Sequence, residues 1–505
     1  MAQLNDFTGG LSTRVHPGYV GPTEGIIYTN IDPGRGTIKA MYANKLEETT
    51  TFSNLYIFKG NKIFTNDKRD YVELTRKLYY TDGIGRPQKS SDGKVFHNLG
   101  ISARDVAPTI AEGTTGVITG TIQYCYTYYN ANDGTESIPS PYSQELVVSN
   151  KSIVINYLNS TDPQVTHVRI YRLGGTLLDM FMVAELPNDE SLVNVQYTDN
   201  VADIDATRVK LDSAGNYPAQ EGLQYLTEAD NTLFAAKENK LYFTDIGFPD
   251  YWNEFNYILI DDIITGISDS ELGLLVFTKF KTFLISYGGS LGITKTLLSG
   301  SQGCIAHRSI QYINNTVVWA STDGICATTN GAISIVSQIP LGYLELKDVK
   351  ASCVHNEIYY VSLVDRTLAL DTRYGKSIFR NIDINPSSFC VYEDEVYFID
   401  KGFVQVLEGD KTSYSSLHFK SGQLSDGSLT TLKTYKTYYV SILGTLTLKL
   451  YIDDVLLTTT TLEAGVHEVR TPGKDRTGYT FSYEVEGRGE LVELEYKVEG
   501  RQNGR

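Results

Sequence analysis

Hydrophobic and polar positions alternate with a period of two along nearly the whole chain. Runs such as Leu274-Leu275-Val276-Phe277 and Thr282-Phe283-Leu284-Ile285-Ser286-Tyr287 are short, β-branched or aromatic, and closed by turn residues. Successive side chains of a strand point to opposite faces, so this pattern predicts strands and not helices. No long segment carries the helical period, and even Val349 to Val354 reads better as a strand.

One unit recurs six times: strand, two polar residues, strand. Leu55-Tyr56-Ile57-Phe58 turns at Gly60-Asn61 into Ile63-Phe64. Leu233-Phe234-Ala235 turns at Glu238-Asn239 into Leu241-Tyr242-Phe243. Further turns fall near Lys279 and at Asn314-Asn315, His355-Asn356 and Glu393-Asp394. The last five recur at roughly 40-residue intervals, the period of a four-stranded propeller blade. A single blade cannot bury both of its faces, so blades would stack radially and close a circle. Second, glycine-turned hairpins lie between them, as at Asp323-Gly324. The pattern predicts an all-β chain built on a six- to seven-bladed β-propeller. Unrelated hairpins in sandwich domains are the plainer alternative.

The spacing breaks between Asn61 and Asn239. Residues 107–205 hold longer alternating strands, including Thr121-Ile122-Gln123-Tyr124-Cys125-Tyr126-Thr127-Tyr128-Tyr129, with proline-rich connections around Pro139 and Pro141. An inserted immunoglobulin- or fibronectin-like sandwich is expected there. The last segment, 414–505, changes character again and predicts a C-terminal β-sandwich. Residues 1–106 and 206–413 are left for a discontinuous propeller.

Composition then narrows the chemistry. The chain has 505 residues, of which 36 are Tyr but only 2 are Trp. Tyrosine suits strands and interfaces, where a rigid apolar body carries a polar tip. The net charge is −16, which argues against a protein that grips nucleic-acid phosphates. Residues 107–205 hold 12 acidic against 3 basic residues, more than half of the excess. Plain solubility explains such a balance equally well. Five cysteines at irregular spacing give no disulfide framework, so reduced thiols and folding in a cytoplasm are expected. The start of the chain shows no signal-peptide pattern, and no apolar run approaches the ~20 residues of a membrane helix.

Candidate chemistry is sparse. Asp32-Pro33-Gly34-Arg35-Gly36 and Gly83-Ile84-Gly85-Arg86-Pro87 lack a strand–loop–helix setting and read as turns. Cys353 with His355, and Cys304 with His307, are the nearest approaches to metal-ligand pairs, but neither has a second pair, and buried thiols beside turn histidines are expected. Calcium near Asp133 or Asp199 would lack any known loop spacing. Tyr124, Tyr126 and Tyr128 share one strand face and read as sandwich core, not as a stacking platform. Arg35, Arg86, Arg501 and Arg505 are interface or DNA-adjacent candidates, or simply solvated loop arginines. No catalytic, cofactor or metal residue is assigned, and no enzymatic activity is expected.

Three segments resemble the tail nozzle proteins of short-tailed bacteriophages, also called tail tubular or packaged-DNA stabilisation proteins. They are Asn239 to Asp245 with Phe248-Pro249-Asp250-Tyr251-Trp252, then Phe277 to Ile285, then Gly303 to Ser309 followed by Thr322-Asp323-Gly324-Ile325. The opening Phe7-Thr8-Gly9-Gly10-Leu11-Ser12-Thr13, and Asp133 to Ser137 with Arg169-Ile170-Tyr171-Arg172, are similar to such virion proteins too. The resemblance covers about 60 residues in motif and rests on their order within the ~40-residue repeat. It implies a virion tail protein, made in the host cytoplasm. Such a protein would form a homo-hexameric tube below the portal-bound adaptor ring, with tail fibre or tail needle (plug) proteins as neighbours. The tube would retain packaged double-stranded DNA and then conduct it. A receptor- or carbohydrate-binding tail protein is the alternative, and a propeller glycosidase or depolymerase a lesser one.

Overall fold

The computed structural model describes residues 2–4, 10–11, 24–33, 37–206, 209–287, 292–342, 344–373, 377–426, 429–471 and 477–500. Among them the chain is all-β apart from a 3-10 turn at His307–Ser309 and one helical turn at Gln338–Leu341. It divides into two compact units, residues 69–264, and residues 1–68 with 265–505.

The 69–264 unit holds two four-stranded antiparallel sheets. One is made of Asp70–Leu74, Lys77–Thr81, Gln88–Ser90 and His97–Asn98, and the other of Gln224–Ala229, Thr232–Lys237, Lys240–Phe243 and Tyr257–Leu259. Each strand pairs with its sequence neighbour. Leu74, Tyr79, Leu99, Leu223, Leu233 and Trp252 share one core. Between the two sheets in sequence lies the insert. Its strand Thr109–Asn130 pairs first with Leu146–Leu158 through Ile122, and then with His167–Gly174 from Ile122 onward. This change of partner lets both halves close on one core that includes Tyr124, Tyr126, Tyr128, Ile155 and Ile170. The insert hydrogen-bonds as one six-stranded sheet, not as the two separate sheets expected of a sandwich.

In the other unit, four-stranded sheets run over 264–299 and 311–335, and a third joins 388–414 to the early strand Tyr42–Thr49. A hairpin, Asn54–Phe58 with Asn61–Thr65, is anchored by Leu55 N–H donating to Ser388 Oγ and Ile57 N–H donating to Cys390 Sγ. Its turn lies at Lys59-Gly60, one residue before the expected position, and the expected His355-Asn356 turn lies at Asn356-Glu357. Asn314-Asn315 and Glu393-Asp394 turn where expected, with φ of 47° and 61°, and 47° and 62°. Positive φ at both positions marks the primed turns that match strand twist.

The expectation of a closed six- to seven-bladed propeller is overturned by the edges of these sheets. The strands Val349–His355, Ile358–Leu363, Thr367–Asp371 and Ile378–Ile382 form a four-stranded run, but the last of them is joined at its outer side to a further strand. Thr29 pairs with Asn381 in parallel, Glu24–Thr29 pairs with Leu417–Ser421, and the latter pairs with Phe481–Gly500. The run is therefore one end of an open, curled fifteen-stranded sheet. The four-stranded sheets elsewhere are separate and unclosed. Neither a closed propeller nor a ring-like tail architecture is seen among the described residues. The expected C-terminal sandwich is corrected by the same sheet. Lys433–Ile452 pairs with Val455–Leu462, Gly465–Arg470 and Phe481–Gly500, and Phe481–Gly500 pairs in turn with the N-terminal strands Ala2–Leu4 and Ile38–Ala40. An exposed strand edge satisfies its N–H and C=O groups with whichever strand lies beside it. Here that strand comes from the far end of the chain.

Candidate functional site

The structure brings charged side chains together in two notable places. The first is in the 69–264 unit, where the Asn130–Thr135 turn of the insert meets the sheet of residues 70–98. In that sheet Lys89 lies opposite Tyr79 on one side and His97 on the other, so the three share a face. Lys89 Nζ is 2.7 Å from Asp133 Oδ2 and 2.7 Å from Asp250 Oδ1, and Lys77 Nζ is 3.4 Å from Asp133 Oδ2. Asp250 also accepts from Gly100 N–H and from the Thr135 hydroxyl. Burial works against the Lys89 ammonium, but Asp250 and Asp133 outweigh it and hold the group above its ordinary value. Burial likewise opposes the Asp133 carboxylate, yet Lys89 draws its pKa down to about 2. Beside this knot lies an open cavity of about 260 Å³.

The second place is a row of charges across three strands of the large sheet. His418 lies opposite Glu486, Lys420 opposite Glu484, and Lys449 opposite Glu484 on the other side. His418 Nε2 is 3.0 Å from Glu484 Oε1 and 3.3 Å from Glu486 Oε1. His418, Glu484 and Glu486 thus present three ligand atoms close enough to hold a metal ion. Lys449 Nζ already bridges the carboxylates, at 3.0 Å from Glu484 and 2.9 Å from Glu486. Tyr451 donates its hydroxyl to Glu484 Oε2 at 2.8 Å. An ammonium at that point supplies the positive charge that a cation would bring. These partners outweigh burial and lower the Glu484 pKa to about 2, and the two carboxylates raise Lys449 above its ordinary value. Local spacing does not reveal this row. The alternation Glu484-Val485-Glu486 is the one visible hint, since its partners lie on distant strands.

The residues singled out by sequence fall elsewhere. All five cysteines are buried, and none is in a disulfide. Cys304 packs with Phe277 and Trp319, and burial pushes its thiol up to about 12. Cys353 packs with Tyr360 and Phe398, and burial raises its thiol further. Thiols held protonated in apolar surroundings are poor ligands and poor nucleophiles. His307 Nδ1 faces Ile267 N–H at 3.4 Å, and His355 lies 3.8 Å from Asp394. Asp199 is fully buried, with Arg172 Nη1 at 2.6 Å and the Tyr124 hydroxyl at 2.8 Å. Asp199 is thus matched by Arg172, and Asp133 by Lys89 and Lys77. Tyr124, Tyr126 and Tyr128 are core residues whose hydroxyls all find acceptors. Arg86 donates to Ser102 Oγ at 2.6 Å. Arg35, Arg501 and Arg505, the stretch Gly34 to Gly36, and Phe7 to Gly9 with Ser12 and Thr13 lie outside the described residues.

No family model matches the chain, and no curated protein matches it. Among solved structures it is similar to the extracellular domain of a hybrid two-component system from B. thetaiotaomicron, at 10% identity and TM-score 0.30 over 80% of this chain and 43% of that one. It is also similar to BamB from Moraxella catarrhalis, at 9% identity and TM-score 0.31 over 74% of this chain and 99% of that one. A third likeness, to PorZ of Porphyromonas gingivalis, has 11% identity and TM-score 0.29 over 87% and 70% of the two chains. The chain spans less than half the length of the first of these. Likenesses this loose carry no argument about what the chain does.

Proposed function

We propose that this chain is a non-enzymatic structural protein of a short-tailed phage tail, of the nozzle type, which assembles with copies of itself to retain and conduct packaged DNA. The observation that carries the reading is the order of the resembling segments. Asn239 to Asp245 runs through the strand Lys240–Phe243, Phe277 to Ile285 joins two strands of the next sheet, and Thr322-Asp323 is a turn of the sheet after that, with Gly324 opening the following strand. The resemblance therefore follows successive sheets, and does not depend on their closing into a propeller. The net charge of −16 supports a conduit for DNA, because an acidic wall repels the duplex and keeps it from sticking. The homo-hexamer, the adaptor ring above it, and fibre or needle proteins beside it are the partners this reading brings.

The test is DNA retention. Phage particles assembled without this chain should package DNA and then lose it to added nuclease, and purified chain added back should restore protection. Particles that keep their DNA without the chain would overturn the reading.

A further inference from the structure

The cavity beside Lys89 is not used by the structural role, and its walls have a chemistry of their own. Lys77, Lys89, Asp92, His97, Asn132 and Asp133 line it, and the exposed Val95 is its one apolar wall. The two ammoniums are already matched by Asp133 and Asp250. An anion would therefore find no unmatched lysine in the lining, and would meet the Asp92 and Asp133 carboxylates as well. A cation would meet Lys77 and Lys89. A neutral ligand with many hydroxyls suits both sides, because each hydroxyl can donate to a carboxylate and accept from an ammonium or amide. The rim is set in advance. Asp92 Oδ1 accepts from the N–H groups of Lys94 and Val95 at 2.8 and 3.1 Å, and Ser90 Oγ accepts from Gly93 N–H at 2.9 Å. On the other side, Asp133 Oδ1 accepts from Thr135 N–H at 3.1 Å. Walls that need little reordering lose little affinity on binding. The volume of about 260 Å³ lies just below the ~300–1,000 Å³ of pockets for drug-sized ligands, which suits one sugar ring.

We propose that this cavity is a binding site for a neutral monosaccharide unit, such as the terminal residue of a cell-surface glycan. Asp92 and Asp133 accept from its hydroxyls, Lys77 and Asn132 donate to them, and Val95 lies against an apolar ring face. The site lies wholly within the 69–264 unit and stands independently of the nozzle reading.

The experiment uses the purified full chain. Methyl α-glucoside, methyl α-galactoside, methyl α-mannoside and N-acetylglucosamine are titrated separately, with saturation-transfer NMR and calorimetry as readouts and inorganic phosphate as the anionic control. At least one of the four sugars should bind, and phosphate should not. Val95→Trp fills the cavity from an exposed position, and Asn132→Leu removes a polar contact from an exposed turn. Each should weaken binding by about ten-fold or more with the thermal unfolding transition unchanged. If Val95→Trp fails to fold, Asn132→Leu decides. No binding by any of the four sugars, equal binding by both folded variants, or phosphate binding in their place would overturn the proposal.

Discussion

The insert and the large sheet both contain acids bridged by bases, yet the two arrangements differ in solvent. Arg172 and Asp199 are fully buried within the insert, where Arg172 also reaches Asp203 at 2.9 Å and the Val201 carbonyl at 3.0 Å. On the large sheet, Lys449, Glu484, Glu486 and His418 form a row that water partly reaches. The distances are alike, but the consequences of breaking them are not. A buried pair has given up its hydration, so a lone survivor is stranded, whereas an exposed survivor rehydrates. Geometry alone therefore says little about how much an ion pair matters; burial decides.

The largest expected effect comes from breaking the buried pair. Arg172→Met should destabilise the protein by ~3–5 kcal/mol, because Asp199 then keeps only neutral partners. The double variant Arg172→Met with Asp199→Leu should recover most of that loss in denaturant unfolding, because the stranded charge is gone. Equal losses in the single and double variants would break the comparison.

Acid gives an intermediate effect. The folded pKa of Asp133 is about 2, below the ordinary value of ~3.9. Its contribution is present above the ordinary value and is lost as pH falls through the folded one. Stability should hold steady above about pH 5 and decline by ~2–3 kcal/mol for this group between about pH 4 and pH 2. Asp133→Asn should flatten that part of the profile. Glu484, drawn down in the same direction, adds to the decline in the same window and remains in the Asp133→Asn variant.

The smallest effect is at the exposed row. Lys449→Met should change stability by no more than ~1 kcal/mol, and what change there is should shrink in high salt. A loss as large as that of Arg172→Met would show that the row is desolvated in the assembled protein.

What could be read from sequence follows range. Period-two alternation and turn residues are local, and they mark the strands around Asn314-Asn315 and Glu393-Asp394. The sheet of residues 70–98 escapes because its first hairpin turns at Thr75-Arg76, two residues with φ of 49° and 63° but no Asn or Gly signal. The closed ring fails for a different reason. Which strand borders Ile378–Ile382 is set by pairing with residues near the start of the chain, and Tyr28 faces Phe419 across nearly the whole sequence. No local pattern encodes that partner. The charge knots at Lys89 and Glu484 were hidden likewise, since Asp250 meets Lys89 and His418 meets Glu484 only through the fold. The tyrosine row of the insert was legible because Tyr124, Tyr126 and Tyr128 define one face by spacing alone.

Assembly is the claim on which the account turns, and the mass of the purified chain tests it most directly. Light scattering and negative-stain imaging of the chain, alone and mixed with phage tail adaptor rings, should reveal rings of about six copies or a tube growing on the adaptor. A chain that stays monomeric and ignores the adaptor would contradict the account.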